Sequence, residues 1–227
     1  MIMNISENAF DGLLQLLSLN ISHNQLAGLT PDVFNTLVSL RTLDLSYNHL
    51  NSLDNGTHSI FGPLLSMETL NLSHNHISII KDRSFPYSPW IPNKLRHLDL
   101  SYNTIPILTS NFDNGLTKLN RLSLKGNIIN EIHQKMLGNL TELEYLDLSR
   151  NDLRKIAKGV LQPWPKNLKA LDLSVNKIKS LFFDDLNSYS TLIKLNLSSN
   201  RLSSINEELI ERIKQNLTLY FNGNNSY

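Results

Sequence analysis

The run Leu16-x-x-Leu19-x-Ile21-x-x-Asn24-x-Leu26 decides the fold, because it comes back at nearly constant spacing along the chain. It returns as Leu40, Leu43, Leu45, Asn48 and Leu50, then as Met67, Leu70, Leu72, Asn75 and Ile77. A further copy is Leu95, Leu98, Leu100, Asn103 and Ile105. Four more are anchored on Asn127, Asn151, Asn176 and Asn200, and a degenerate ninth carries Leu219, Phe221 and Asn224. Successive anchors lie 24, 27, 28, 24, 24, 25, 24 and 24 residues apart. A period in this range marks a stacked array of repeats rather than one globular core. Leu (44 of 227 residues) and Asn (29) dominate the composition for the same reason.

Each position of the repeat has a physical task. Leu43 and Leu45 alternate with Asp44, so a short strand turns two leucines inward and one polar residue outward. Successive coils then pair these strands into a parallel sheet with about 4.8 Å per repeat. Asn48 leads the chain away from the sheet, and its amide is suited to satisfy backbone groups buried between coils. Five residues after the anchors stand Leu29, Leu53, Ile80, Leu108, Ile132, Ile156, Leu181 and Ile205. Ten residues after them stand Phe34, Phe85, Leu137, Leu161, Leu186 and Ile210, which fill the convex side. No coil buries its apolar edge alone, so neighbour interfaces carry the stability.

The repeat pattern, and the LDLSxN signature at Leu43–Asn48, Leu98–Asn103, Leu146–Asn151 and Leu171–Asn176, resemble extracellular leucine-rich repeat proteins. That resemblance implies an α/β leucine-rich repeat solenoid. It would be a curved horseshoe with short parallel strands on the concave face and loops or short helical turns on the convex face. The whole chain, 1–227, is then one array: a partial repeat at 1–13, eight full repeats, and a degenerate last repeat at 216–227. With no capping unit in view, the reading is of a fragment of a longer protein. The stretch Pro89-Trp-Ile-Pro-x-Lys-Leu-x-x-Leu-Asp-Leu-Ser-Tyr-Asn103 is similar to chaoptin-type arthropod adhesion proteins, as are Gly138-Asn-Leu-Thr141 and Tyr220-Phe-Asn-Gly-Asn224. Toll-like receptor ectodomains are the neighbouring possibility. Either likeness implies a cell-surface glycoprotein whose horseshoe binds a protein ligand or another copy of itself, its anchoring segment lying outside these residues.

Other classes find no support. Charge is balanced, 21 Lys+Arg against 20 Asp+Glu, so electrostatics argue for neither nucleic acid nor an anionic membrane as partner. No apolar run approaches the roughly 18 residues of a membrane span. The cysteine count is 0, leaving no thiolate metal site or cysteine nucleophile. G-x-G-x-x-G, G-x-x-x-x-G-K, H-E-x-x-H and G-x-S-x-G are all missing. Asp44, Asp99, Asp147 and Asp172 share one repeat position and read as solvated outward residues. No enzyme activity, metal or cofactor is therefore expected.

Three surface features remain. Glycosylation acceptors Asn-x-Ser/Thr occur at Asn4, Asn20, Asn55, Asn71, Asn139, Asn196, Asn216 and Asn224. Asn55 and Asn139 fall in loop halves where sugar meets water, whereas Asn20, Asn71 and Asn196 fall on the strand itself. One residue before the anchors, His23, Tyr47, His74 and Tyr102 form a column. It reads either as an aromatic contact strip or as a slot that takes any half-exposed side chain. Between Asn71 and Asn196 lies the open window expected to bind a partner. Its residues are Arg96, His97, Asp99, Arg121, Lys125, Glu144, Tyr145, Asp147, Arg150, Lys169 and Asp172, with Tyr145 between Arg121 and Arg150 as the expected centre. Trp90 and Trp164 sit in Pro-flanked loops, and Trp164 falls in the slot that Leu37 and Leu140 fill, so it is expected to be core.

Overall fold

The computed structural model describes residues 1–30, 32–53, 60–81, 84–86, 91, 93–108, 112–113, 115–132, 137–156, 165–181, 191–205, 211 and 215–224. Among these residues nine three-residue strands form one parallel sheet in chain order. They are β1 (Ser18–Asn20), β2 (Thr42–Asp44), β3 (Thr69–Asn71), β4 (His97–Asp99), β5 (Arg121–Ser123), β6 (Tyr145–Asp147), β8 (Ala170–Asp172), β10 (Lys194–Asn196) and β11 (Thr218–Tyr220). Register follows the repeat without slippage: Leu98 pairs with Leu122, and Leu122 with Leu146. The central leucine of each strand from β2 to β10 is buried, and its two neighbours face outward.

The anchor asparagines from Asn48 to Asn200 are buried and linked into a ladder. Asn127 donates from Nδ2 to the Leu124 carbonyl of its own turn and to the Leu100 carbonyl of the preceding coil, each at 3.0 Å. Its Oδ1 accepts the Ile105 N–H, also of the preceding coil, at 3.0 Å. Asn48, Asn75, Asn103, Asn151, Asn176 and Asn200 make the same three contacts. One amide per coil thus satisfies backbone groups that burial would otherwise leave without partners.

The residue before each anchor adopts a left-handed backbone. His23, Tyr47, His74, Tyr102, Arg150, Val175 and Ser199 have φ between 53° and 55°. Such a conformation costs a non-glycine residue about 1–2 kcal/mol. Hydrogen bonds to the next coil hold it in place, as from Tyr47 N to Ser73 O (3.0 Å) and from Val175 N to Ser198 O (2.9 Å).

On the convex side, single turns closed by bonds such as Leu37 N to Phe34 O and Leu140 N to Leu137 O connect the strands. Phe34, Phe85 and Leu137 are buried as expected, while Leu161, Leu186 and Ile210 lie outside the described residues. In the 27-residue repeat the convex slot is filled by Phe61, three residues later than in its neighbours. Its ring stacks 6.2 Å from that of Phe34, which lies 6.0 Å from Phe10. A second parallel seam, absent from the sequence reading, joins β7 (Lys155–Ile156) to β9 (Ser180–Leu181), four and five residues after their anchors. Ser52 and Ile79 bridge at the equivalent place. Trp90 and Trp164 lie outside the described residues.

Replacing Asn127 with Ala leaves one buried N–H and two buried carbonyls without their partner. Unsatisfied buried groups cost about 1–3 kcal/mol each, so the urea-unfolding free energy should fall by at least about 3 kcal/mol. Asn130→Ala, at an exposed position of the same repeat, should change it by less than about 0.5 kcal/mol. Equal effects from both substitutions would remove the ladder as the source of stability.

Candidate functional site

Outward strand positions from β3 to β10 enclose a depression of about 480 Å³ on the concave face. Of the residues expected in the binding window, His97, Asp99, Arg121, Tyr145, Asp147 and Asp172 line it, and Asn71 and Asn196 line its ends. Buried strand leucines form its floor. At the centre the Arg121 guanidinium lies 4.1 Å from the centroid of the Tyr145 ring, in cation–π contact. Parallel register makes this contact, since Arg121 and Tyr145 are partners on adjacent strands. Beside it, His97 Nδ1 is 3.4 Å from Thr69 Oγ1. Burial lowers the His97 pKa, and the nearby Arg121 and Arg96 lower it further against the pull of Glu68. The imidazole is therefore neutral at pH 7, able both to donate and to accept.

The other window residues fall into two flanking rows. Arg96, Glu144 and Lys169 each precede a strand, and Glu144 and Lys169 pair at 2.9 Å. The hydrogen bond from Lys169 holds the Glu144 carboxyl below its usual range and raises Lys169 in turn. Lys125 and Arg150 belong to the turns instead. Lys125 Nζ stands 5.9 Å from the Tyr102 ring centroid, and Arg150 occupies the left-handed slot. Arg150 does not line the depression with Tyr145, so the expected flanking by two arginines reduces to Arg121 alone.

The strand aspartates are more than solvated outward residues. Oδ1 of Asp44, Asp99, Asp147 and Asp172 accepts the N–H of the serine two residues on, at 2.8–2.9 Å. Asn20, Asn71 and Asn196 accept the same bond at 2.9–3.1 Å. This slot closes the turn after these seven strands, so one carboxylate oxygen of each aspartate is already committed. The other is open to a ligand on Asp99 and Asp147, while Asp172 Oδ2 accepts from Asn196 Nδ2 at 3.0 Å. The alternation of LDLS with LNLS was the signal for this role.

His23, Tyr47, His74 and Tyr102 form a continuous stack, with ring centroids 4.3, 4.1 and 4.4 Å apart. Gly126 takes the next slot, where a Cβ would come within 2.6 Å of the Tyr102 ring. Among the acceptor asparagines, Asn4, Asn20, Asn139 and Asn216 are exposed. Asn55 lies outside the described residues. Asn224 uses both amide protons in the ladder, donating to Leu197 and Phe221 carbonyls, so a glycan there would displace one of those bonds. Asn139 donates from its amide to Asp113 Oδ1 (3.2 Å), and its backbone N–H donates to Asp113 Oδ2 (2.9 Å).

Models described as leucine rich repeat match residues 2–50 and 117–166, residues 39–62, 66–87 and 191–213, and residues 92–105. The chain is 30% identical to osteomodulin of Bos taurus over 189 residues, which is 82% of this chain and 42% of that protein. It is 33% identical to Toll-like receptor 3 of Bos taurus over 210 residues, 87% of this chain and 23% of the receptor. In both cases it spans less than half of the relative's length. The solved structure of the Drosophila Toll–Spatzle complex shares the fold, with a TM-score of 0.74 at 19% identity over 99% of this chain and 34% of that one.

Asp113 generates a pH test. It is fully buried, and that burial raises its pKa above the ordinary 3.8, with the Asn139 bonds pulling the other way. A carboxyl with a raised folded pKa weakens the fold when ionised, and the penalty fades as pH falls through that raised value toward 3.8. Asp113→Asn keeps an acceptor for Asn139 N–H without the charge. The variant's stability relative to wild type should be greater at pH 7 than at pH 3.5 in denaturant titrations. A wild type that gains on the variant as pH rises would contradict the assignment.

Proposed function

The chain belongs to the leucine-rich repeat family, and from that membership we propose that its concave face binds a protein ligand outside the cell. The observation that carries this reading is the depression between Asn71 and Asn196, with the Arg121–Tyr145 contact at its centre. Tyr and Arg are the residues most often at the energetic centres of protein interfaces, where they sit in desolvated surroundings. Here the two are held by adjacent strands over a leucine floor, so binding would cost little side-chain ordering. Both charge signs line the same depression, Asp99 and Asp147 together with Arg121 and Lys194. That favours a ligand of mixed charge.

Glycans on Asn71 and Asn196, which line opposite ends of the depression, would frame the contact area rather than cover it. The surface location and glycosylation belong to the same proposal, supported by the eight acceptor sequences and by relatives that include a receptor. Those relatives, and the two-protein complex whose fold this chain shares, favour a ligand-binding ectodomain segment. Homophilic adhesion of the chaoptin type keeps only its resemblance at residues 89–103 and two shorter stretches.

The test is Arg121→Ala combined with Tyr145→Ala in the full-length protein. Loss of an interface centre of about 2 kcal/mol or more corresponds to roughly thirtyfold weaker binding. Ligand binding or cell aggregation should drop at least tenfold at unchanged thermal stability. A signal within twofold of wild type would exclude this face as the contact.

A further inference from the structure

We propose that His49 and His76 form an exposed two-imidazole site for a divalent transition-metal ion of the zinc or copper class. The two residues stand one position after the anchors Asn48 and Asn75, so the repeat places them side by side on adjacent coils. Their backbones are held at that spacing by His49 N to Leu26 O and His76 N to Leu50 O, both 2.9 Å. His49 Nδ1 lies 3.2 Å from His76 Nε2. The rings are nearly parallel at 8°, yet their centroids are 5.3 Å apart, well beyond the 4.1–4.4 Å of the neighbouring aromatic column. These rings therefore meet through nitrogen atoms rather than face to face.

That separation suits a shared ion. Imidazole nitrogens bind zinc at about 2.0–2.1 Å, and two of them at a tetrahedral angle stand about 3.3 Å apart. A ring rotation of modest size converges both lone pairs on one point. The alternative occupant of the gap is a proton, in a single hydrogen bond between neutral rings. Both side chains are exposed, so an ion reaches them without opening the fold. The same row juxtaposes side-chain tips elsewhere, where Asp152 and Lys177 pair. Among the described residues no group of three or more His, Cys, Asp or Glu is placed to hold a metal ion. Water, or a donor from a bound partner, would thus complete the coordination, giving an open site with exchangeable metal. Imidazole donors without thiolate or carboxylate select zinc, copper or nickel over calcium or magnesium.

The proposal is independent of the concave-face reading and is tested without any protein ligand. Calorimetric titration of the full chain with Zn²⁺ should show one ion per chain. His49→Gln or His76→Gln alone should weaken binding at least tenfold, while the double variant His23→Gln, His74→Gln stays within twofold of wild type. Electron paramagnetic resonance of the Cu²⁺ complex should show two coupled nitrogens, reduced to one or none in either single variant. The wild-type spectrum decides the matter even if a variant misfolds. Unchanged affinity in the single variants would overturn the site, as would a copper spectrum with fewer than two nitrogens.

Discussion

The buried amide of the anchor asparagine is the contact on which the rest of this structure depends. It must reach one carbonyl of its own turn and both a carbonyl and an N–H of the preceding coil, as Asn127 does with Leu124, Leu100 and Ile105. Aspartate offers acceptors only, and glutamine adds a methylene that the closed turn has no room to absorb. Because each amide spans two coils, a turn is satisfied only when its neighbour is present. Local and neighbour stability are thereby coupled, as expected of a one-dimensional array.

Several features of the surface follow from that constraint. Turning the chain at the anchor forces the preceding residue into the left-handed region, whatever its type, and even β-branched Val175 accepts the strain. The slot projects its side chain beside its counterparts on adjacent coils, which is why His23, Tyr47, His74 and Tyr102 stack. The aspartate or asparagine that ends seven of these strands closes the same turn from the other side. Between these fixed rows the first strand position and the residue before it are free to vary. They hold the Arg121–Tyr145 contact and the polar groups around it. Function in this fold is thus written on positions that the array itself leaves unconstrained.

Much of this was legible in the sequence, because a period repeated from Asn24 to Asn224 averages away local ambiguity. Strand positions, inward leucines and anchors all follow from spacing alone. The misreadings have a common cause: spacing tells which residues share a row, not what conformation the row imposes. Asp99, Asp147 and Asp172 read only as solvated outward residues because a bond to the N–H two residues on leaves no periodic trace of its own. Arg150 was grouped with Tyr145 as a neighbour in sequence, although five residues carry the chain out of the strand and into the turn. Phe61 was missed because the longer repeat shifts its convex slot. His49 and His76 share the row one residue after the anchors, but spacing does not tell that their ring nitrogens meet at 3.2 Å.

Native-state hydrogen exchange, read amide by amide, tests the central role of the asparagine ladder most directly. The amides of Leu26, Leu50, Ile77, Ile105, Ile129, Leu153 and Ile178 each donate to an anchor Oδ1 of the following coil. They should be among the slowest to exchange and should respond to denaturant with the slope of global unfolding. If they exchange as fast as turn amides such as Ala9 and Asn35, whose partners lie three residues away, the ladder is not what holds the coils together.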